Sequence, residues 1–259
     1  MSPSDTEPSP WLRLLTAAVV VGLVLAGVAH ALDWNVSVNV RSGSGHLSTT
    51  QRPVAGMTRL ALELPAELEL VQDGTEALSV QTDDNLQDQV QAVQQGGQLT
   101  LRWNPGYKVQ ILHPSELKLV LHVRSLEHIA ITGSGDVHAR QLKLPQLDVS
   151  VQGSGDLRLD SLEVDQLVAS ISGSGDMQAA GHARQVQLQI SGSGNADLGH
   201  LASQLVNLSV AGSGDATVWA STALTASVAG SGDLRYYGGG SVKTAVAGSG
   251  SVTRLGVAP

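Results

Sequence analysis

The chain has 259 residues, with 15 basic and 23 acidic side chains for a formal net charge of −8, 29 glycines and no cysteine. Without cysteine there is no disulfide framework, no thiol nucleophile and no cysteine-ligated zinc cluster. The acidic balance, with no basic run to offset it, argues against a nucleic-acid partner.

In chain order, the first element is an apolar run, LLTAAVVVGLVLAGVA at residues 14–29, preceded by Arg13 and leading into Ala29-His30-Ala31. Its length and its A-x-A ending predict a signal peptide over residues 1–31, cut after Ala31. The competing reading is an uncleaved membrane anchor from Trp11 to Leu32, since the run approaches spanning length and Asp5 and Glu7 precede it. Either way the bulk of the chain is expected outside the cytoplasm, in the periplasm, at the cell surface or secreted. Membrane contact is expected only through an uncleaved N-terminal segment.

Residues 32–128 have a texture of their own and read as an all-β capping module. Alternating stretches such as TRLALELPAELELVQ and GGQLTLRW are strand-like. The Gln-rich connector NLQDQVQAVQQGGQ places Leu86, Val90 and Val93 at near-helical spacing, which allows a short helix. The module is expected to pair with the first repeat and cover its open edge, because an unprotected sheet edge invites association. Within it, Trp103 and Tyr107 around Asn104-Pro105-Gly106 either pack a turn or form a small aromatic ledge for sugar. Ser115-Glu116-Leu117-Lys118 matches S-x-x-K, yet no S-D-N or K-T-G accompanies it, so it reads as a strand start. The histidines form no H-x-H or H-E-x-x-H pattern, and His122 and His128 are expected at solvated positions.

From residue 129 to 259 the chain repeats. A Gly-Ser-Gly corner begins at Gly133, Gly153, Gly173, Gly192, Gly212, Gly230 and Gly248, at intervals of 20, 20, 19, 20, 18 and 18 residues. Such a period marks stacked units that bury their apolar faces only against neighbours. Two positions before each first glycine stand Ile131, Val151, Ile171, Ile190, Val210, Val228 and Val246, all β-branched. Their flanking positions are small or polar, so the period is two and the segment is a strand with this column inward. Beyond the corner the alternation resumes with Val137, Leu157, Met177, Ala196, Ala216, Leu234 and Val252. The repeats are too short for crossover helices. Same-sense strands then pair by coiling, which predicts a right-handed parallel β-helix of about seven rungs, roughly 30 to 35 Å long.

The corner has two readings. Glycine suits it because the backbone there needs positive φ and close approach, while the serines could bond neighbouring backbone or one another up the stack. The next column, Asp136, Asp156, Asp176, Asn195, Asp215, Asp233 and Ser251, suits turns in which the Asx side chain bonds its own backbone. The alternative is a Ca²⁺ column of stacked carboxylates. Asn195 and Ser251 interrupt such a column, and the spacing is not the nine-residue calcium repeat. No catalytic, cofactor-binding or metal-binding residue is assigned, and no cofactor is expected.

The order GMTRLALELPAELELVQDGTEALSVQTDDNL, QAVQQGGQLTLRW, then SLEHIAITGSGDV and its echoes resembles the bacterial head-GIN domain family, described as heads of autotransporter adhesins. The resemblance covers roughly residues 55–250. It implies an extracytoplasmic β-helical domain with a proposed adhesive or cell-envelope role and no established reaction. Many members resemble lipoproteins, but this chain lacks the required cysteine, so lipid anchoring does not carry over. The expected partner is an envelope component, a cell-surface molecule or a glycan, with self-association through rung ends a further reading. The alternative is a polysaccharide-binding or polysaccharide-active β-helix protein, and a polysaccharide-active enzyme needs acids and bases clustered on one face. Here the acids recur evenly along one corner instead.

Overall fold

The computed structural model describes residues 39–104 and 110–259. The signal or anchor expected over residues 1–31, and Tyr107, lie outside the described residues. Among the described residues no helix is long and apolar enough to cross a membrane.

The chain divides into two units. One comprises residues 1–41 and 105–113; in it β1 (Asn39–Ser42, whose last residue belongs to the other unit) pairs with β8 (Gln110–His113) as a two-stranded sheet. The other comprises residues 42–104 and 114–259 and holds one 17-stranded sheet.

The larger unit opens with β2 (Leu47–Pro53), β3 (Arg59–Leu62), β4 (Glu67–Gln72) and β5 (Ala77–Asp83). A 3₁₀ turn over Asp84–Gln89, β6 (Val90–Gln95), β7 (Gln98–Trp103) and β9 (Leu117–Val123) complete this region. The connector is therefore not a helix running from Leu86 to Val93. Leu86 is buried in the 3₁₀ turn, whereas Val90 and Val93 lie on β6, which pairs antiparallel with β7. The cause is Gly96-Gly97, both at positive φ, a two-residue loop whose twist matches a hairpin.

The repeats follow as β10 (His128–Gly133), β11 (Asp136–Ala139), β12 (Leu142–Gly153), β13 (Leu157–Gly173), β14 (Met177–Gly192), β15 (Ala196–Gly212) and β16 (Ala216–Gly230). The last elements are β17 (Leu234–Tyr237), β18 (Ser241–Gly248) and β19 (Val252–Gly256). Every pairing from β10 to β19 is parallel and aligns the GSG corners, for example Gly153 with Gly173 and Gly173 with Gly192. The protein is thus a β-solenoid, with its seven corners bounding about six turns.

One coil, Leu157 to Asp176, explains the cross-section. Leu157 and Leu159, then Leu162 and Val164, then Leu167, Ala169 and Ile171 point inward and are buried. The alternation slips at Asp160-Ser161 and again at Asp165-Gln166, where two successive residues face outward. The coil therefore has three walls, with return corners at the two slips and the GSG turn as the third corner. Each buried Leu or Ile contributes about 1.5 to 3 kcal/mol relative to exposure, so the seven inward columns supply the main driving force.

Parallel coiling also reaches back below residue 129. Strand β3 lies parallel to β10, with Leu62 opposite Ile131, and β4 lies parallel to β11, with Glu67 opposite Asp136. Five residues separate the two positions in each strand pair, so Leu64-Pro65-Ala66-Glu67 occupies the place of Gly133-Ser134-Gly135-Asp136. Beneath it β7 and β9 add another parallel layer, and then β6, β5 and β2 pair antiparallel. The antiparallel strands cover that end of the stack. At the other end β18 is exposed along its whole length, and the inward columns finish on half-open Val242 and Val246, at 40% and 44% exposure.

Candidate functional site

Two corners of the coil hold the side chains that sequence analysis raised. In the GSG corner the first glycine of every copy has φ between 99° and 135°, a region L side chains rarely enter. The second glycine has no such φ; its need is space, since a Cβ on Gly175 would stand 2.1 Å from the carbonyl oxygen of Gly155 in the rung before. That carbonyl approach goes with a bond between rungs. Gly153 O accepts from the amides of both Ser174 and Gly175, at 2.7 and 3.1 Å; the same fork recurs at Gly133, Gly173, Gly192 and Gly230, while Gly212 O accepts from the Ser231 amide. The corner serines join the stack through these amides, and their side chains are exposed.

The Asp column does not bond its own turn, as Asx chemistry had predicted. Each side chain accepts instead from the column residue of the next rung. Asp136 Oδ1 accepts from the amide of Asp156 at 2.9 Å, Asp156 Oδ1 from Asp176 at 2.8 Å, and Asp176 Oδ1 from Asn195 at 2.8 Å. Asn195 Oδ1 continues the ladder by accepting from Asp215 at 2.9 Å, which explains why an amide fits where its neighbours are acids. Asp215 and Asp233 take their turn toward Asp233 and Ser251. Rung spacing places the next amide within reach of the side chain, and that geometry outcompetes the local turn. The hydroxyl and amide of Ser251, then Arg235, pull the Asp233 carboxyl below the usual carboxylate range. Among the described residues no group of three His, Cys, Asp or Glu side chains is arranged to hold a metal ion.

The histidines pair with acids. His122 Nδ1 lies 2.7 Å from Asp73 Oδ2, His138 Nε2 lies 2.8 Å from Asp160 Oδ2, and His128 sits 3.5 Å from Asp148. Both His122 and His128 are half-exposed rather than fully solvated. The Ser115 amide donates to the buried carboxylate of Asp83, while Lys118 meets Glu116 at 3.0 Å. Burial pushes Asp83 upward, but the amides of Ser115 and Gly45 outweigh it and lower the group overall. The S-x-x-K segment therefore anchors the start of β9. Trp103 packs against the core.

The return corner at Asp165-Gln166 carries what the sequence did not show. A groove of about 890 Å³ runs there across the rungs. Strand register sets Lys143 beside Glu163 and Glu163 beside His182, and the outer rim brings Asp165 and Arg184 alongside. Lys143 Nζ meets Glu163 Oε2 at 2.6 Å. That bond raises the Lys143 amine and lowers the Glu163 carboxyl, with His182 adding to the latter. The floor shrinks along the groove from Leu144 through Val164 and Ala183 to Ser203.

Rung length changes on either side of the groove: at the corner aligned with Asp165-Gln166, Ser221 and Thr222 of β16 stand against Gln204 alone of β15, and a larger slip lies at the return corner aligned with Asp160-Ser161. In the pairing of β15 with β16 the register slips between Leu198 and Ala202, where Gly199, His200 and Leu201 bulge past their neighbours. Ala202 then faces Trp219, and the half-buried indole closes one end of the groove. No local motif announces this site. Its residues lie in successive rungs: alignment on GSG sets Lys143, Glu163, His182 and Ala202 in one column, with Asp165 and Arg184 in another, and only Trp219 falls out of column.

The geometry agrees with known proteins. Residues 57–240 match the family described as "Putative auto-transporter adhesin, head GIN domain", and the chain belongs to that family. A crystal structure of a "putative adhesin" from Bacteroides fragilis superposes with a TM-score of 0.78 at 25% identity, covering 83% of this chain and 100% of that one. A "putative lipid binding protein" from Parabacteroides distasonis shares the fold at a TM-score of 0.70 and 21% identity, over 84% of this chain and 100% of its own. A "putative adhesin" from Parabacteroides merdae does so at 0.69 and 22%, over 84% and 99%. No curated protein matches the sequence.

Proposed function

We propose that this chain is an exported, non-catalytic head module that binds at the cell envelope or cell surface in the manner of an adhesin. Family membership carries the reading, since the matched family is described as an adhesin head. A solenoid supports it physically, because stacked strands present long rigid faces that need no closure or hinge to bind. The absence of catalysis is supported by how the acids are used. The Asp column accepts from backbone amides and is committed to the stack, while Lys143 holds Glu163 as a carboxylate that accepts rather than donates a proton.

The expected partner is an envelope component, a surface molecule or a glycan, and the net charge of −8 disfavours nucleic acid. Fractionation of producing cells is expected to place the protein outside the cytoplasm, and purified full-length protein is expected to bind intact cells or isolated envelope saturably. Cytoplasmic retention, or turnover of polysaccharide in a reducing-end assay, would overturn this proposal.

A further inference from the structure

We infer that the groove on the Asp165-Gln166 corner is a binding site for a neutral oligosaccharide, laid along the solenoid axis with one end against Trp219. The inference rests on the reading of the protein as a binding module and gives that module a site and a ligand class. The groove, at about 890 Å³, lies within the range of small-ligand sites.

Charge comes first. The groove holds two permanent cations, Lys143 and Arg184, and two carboxylates, Glu163 and Asp165, so its formal charge cancels. A polyanion would meet the carboxylates and a polycation the cations, each at a cost in desolvation. An uncharged ligand rich in hydroxyls meets neither, and it can both donate to the carboxylates and accept from His182, Lys143 and Arg184.

Backbone comes second. Strands β13 to β15 are paired on both sides by parallel ladders, and on the open side of β12 the Gln72 side chain bonds both the amide and the carbonyl of Lys143, so the backbone groups along the groove are already used. A peptide entering the groove would find no free strand edge to extend, and edge pairing is the main source of affinity for extended peptides. Recognition has to run through side chains, which suits sugar hydroxyls.

Spacing and shape come third. Side chains in one column repeat at the rung spacing of about 4.8 Å, comparable to the advance of a sugar chain per residue. The half-buried Trp219 offers an apolar ring face at one end, and an indole combines a large apolar surface with low conformational entropy. All of these groups stand on strands of a rigid stack, so little ordering accompanies binding.

The test is titration of the full chain with cellohexaose, maltohexaose and N-acetylchitohexaose, followed by tryptophan fluorescence and calorimetry, with polygalacturonate as the charged comparison. Saturable one-to-one binding of at least one hexasaccharide, little affected by salt, is expected. Trp219→Ala and Asp165→Ala should each weaken it at least tenfold, while Ser172→Asp on another wall should change it less than twofold. Asp165 is exposed, so its variant keeps the test valid even where Trp219→Ala lowers stability. Failure of all three hexasaccharides to bind, binding of polygalacturonate alone, or binding that survives both groove variants would overturn the inference. If cells or envelope still bind the protein in that event, the groove assignment falls and the surface-module reading stands; if that binding is also lacking, both fall.

Discussion

The GSG corner and the two return corners, at Asp160-Ser161 and Asp165-Gln166, sit on the same coil and follow opposite rules. At the first, register never slips: the aligned glycines stay opposite one another in every pairing from β10 to β18. The return side absorbs every change in rung length. The 19-residue interval is taken up between Ala179 and Gly181, and the shortening to 18 falls around Ala202 and Trp219. At the GSG corner backbones touch in successive rungs and leave no room for an added atom; on the return side such contacts are local, as at Gly181 and Gly240, and insertions and bulky groups accumulate between them. The repeated letters therefore mark the lock of the fold, and the irregular return side is where the groove opens.

Glycine substitution should separate the two kinds of corner most sharply. A Cβ at Gly214 would stand 2.0 Å from the carbonyl oxygen of Gly194, so Gly214→Ala has to push neighbouring rungs away from each other. A loss of at least about 3 kcal/mol, or no folding, is expected in denaturant titration. At the bulge, Gly199→Ala meets the methyl of Thr217 at 3.0 Å and the Asp197 carboxylate at 3.3 Å, both side-chain groups that can yield. It should cost about 1 kcal/mol or less. Equal losses would erase the distinction.

The next test concerns the walls between the corners. Ile171 is buried and Ser172 exposed. Ile171→Asp should cost at least about 3 kcal/mol by burying an unpaired carboxylate. Ser172→Asp should stay within about 0.5 kcal/mol; a comparable loss from both would mean the strand register is wrong.

A smaller effect is expected from the acid ladder. Asp176→Ala leaves the Asn195 amide without its acceptor and should cost about 1 kcal/mol. Asp176→Asn should be nearly neutral, since Asn195 already serves Asp215 in that way. A large loss with Asn would show that charge, and not acceptor geometry, holds the column. Calcium should leave the melting temperature unchanged, and a rise of more than about 4 °C would assign the column to metal.

The smallest expected effect lies away from both corners. The hydroxyl and amide of Thr75, then His122, hold Asp73 down to about 2 from its ordinary 3.8. A carboxylate depressed on folding adds stability that is present above its ordinary value and is lost as pH falls toward the folded value. Asp73→Asn should therefore flatten the melting-temperature curve between about pH 4 and about pH 2. Superimposable acid limbs for the two proteins would show that the pairing contributes nothing to folding.

What was legible in the sequence follows the same division. The column through Ile171 and the corner glycines could be read because the repeat aligns itself on them. The hairpin at Gly96-Gly97 was also written in the residues, but the regular spacing of Leu86, Val90 and Val93 masked it. The corner at Leu64-Pro65-Ala66-Glu67 carries no glycine. Its Leu64 carbonyl oxygen crowds the Cβ position of Gly135 in the next rung, so the demand for glycine falls on the later rung of the pair. The groove was missed although Lys143, Glu163 and His182 share a column under GSG alignment, because a column of mixed charge does not by itself mark a cavity and Trp219 meets Ala202 only across a register slip.

The acid ladder has a direction. Every side chain in it reaches from an earlier rung to the amide of a later one, so each finished coil holds out an acceptor for the coil that follows. Polypeptides leave the ribosome N-terminus first, and in this protein the capped end is also the end made first. A coil that has just emerged meets a surface already shaped for its corner, with a carboxylate waiting where its amide must go. The protein thus carries a template for growing in one sense along its own axis, as a crystal grows from a seeded face.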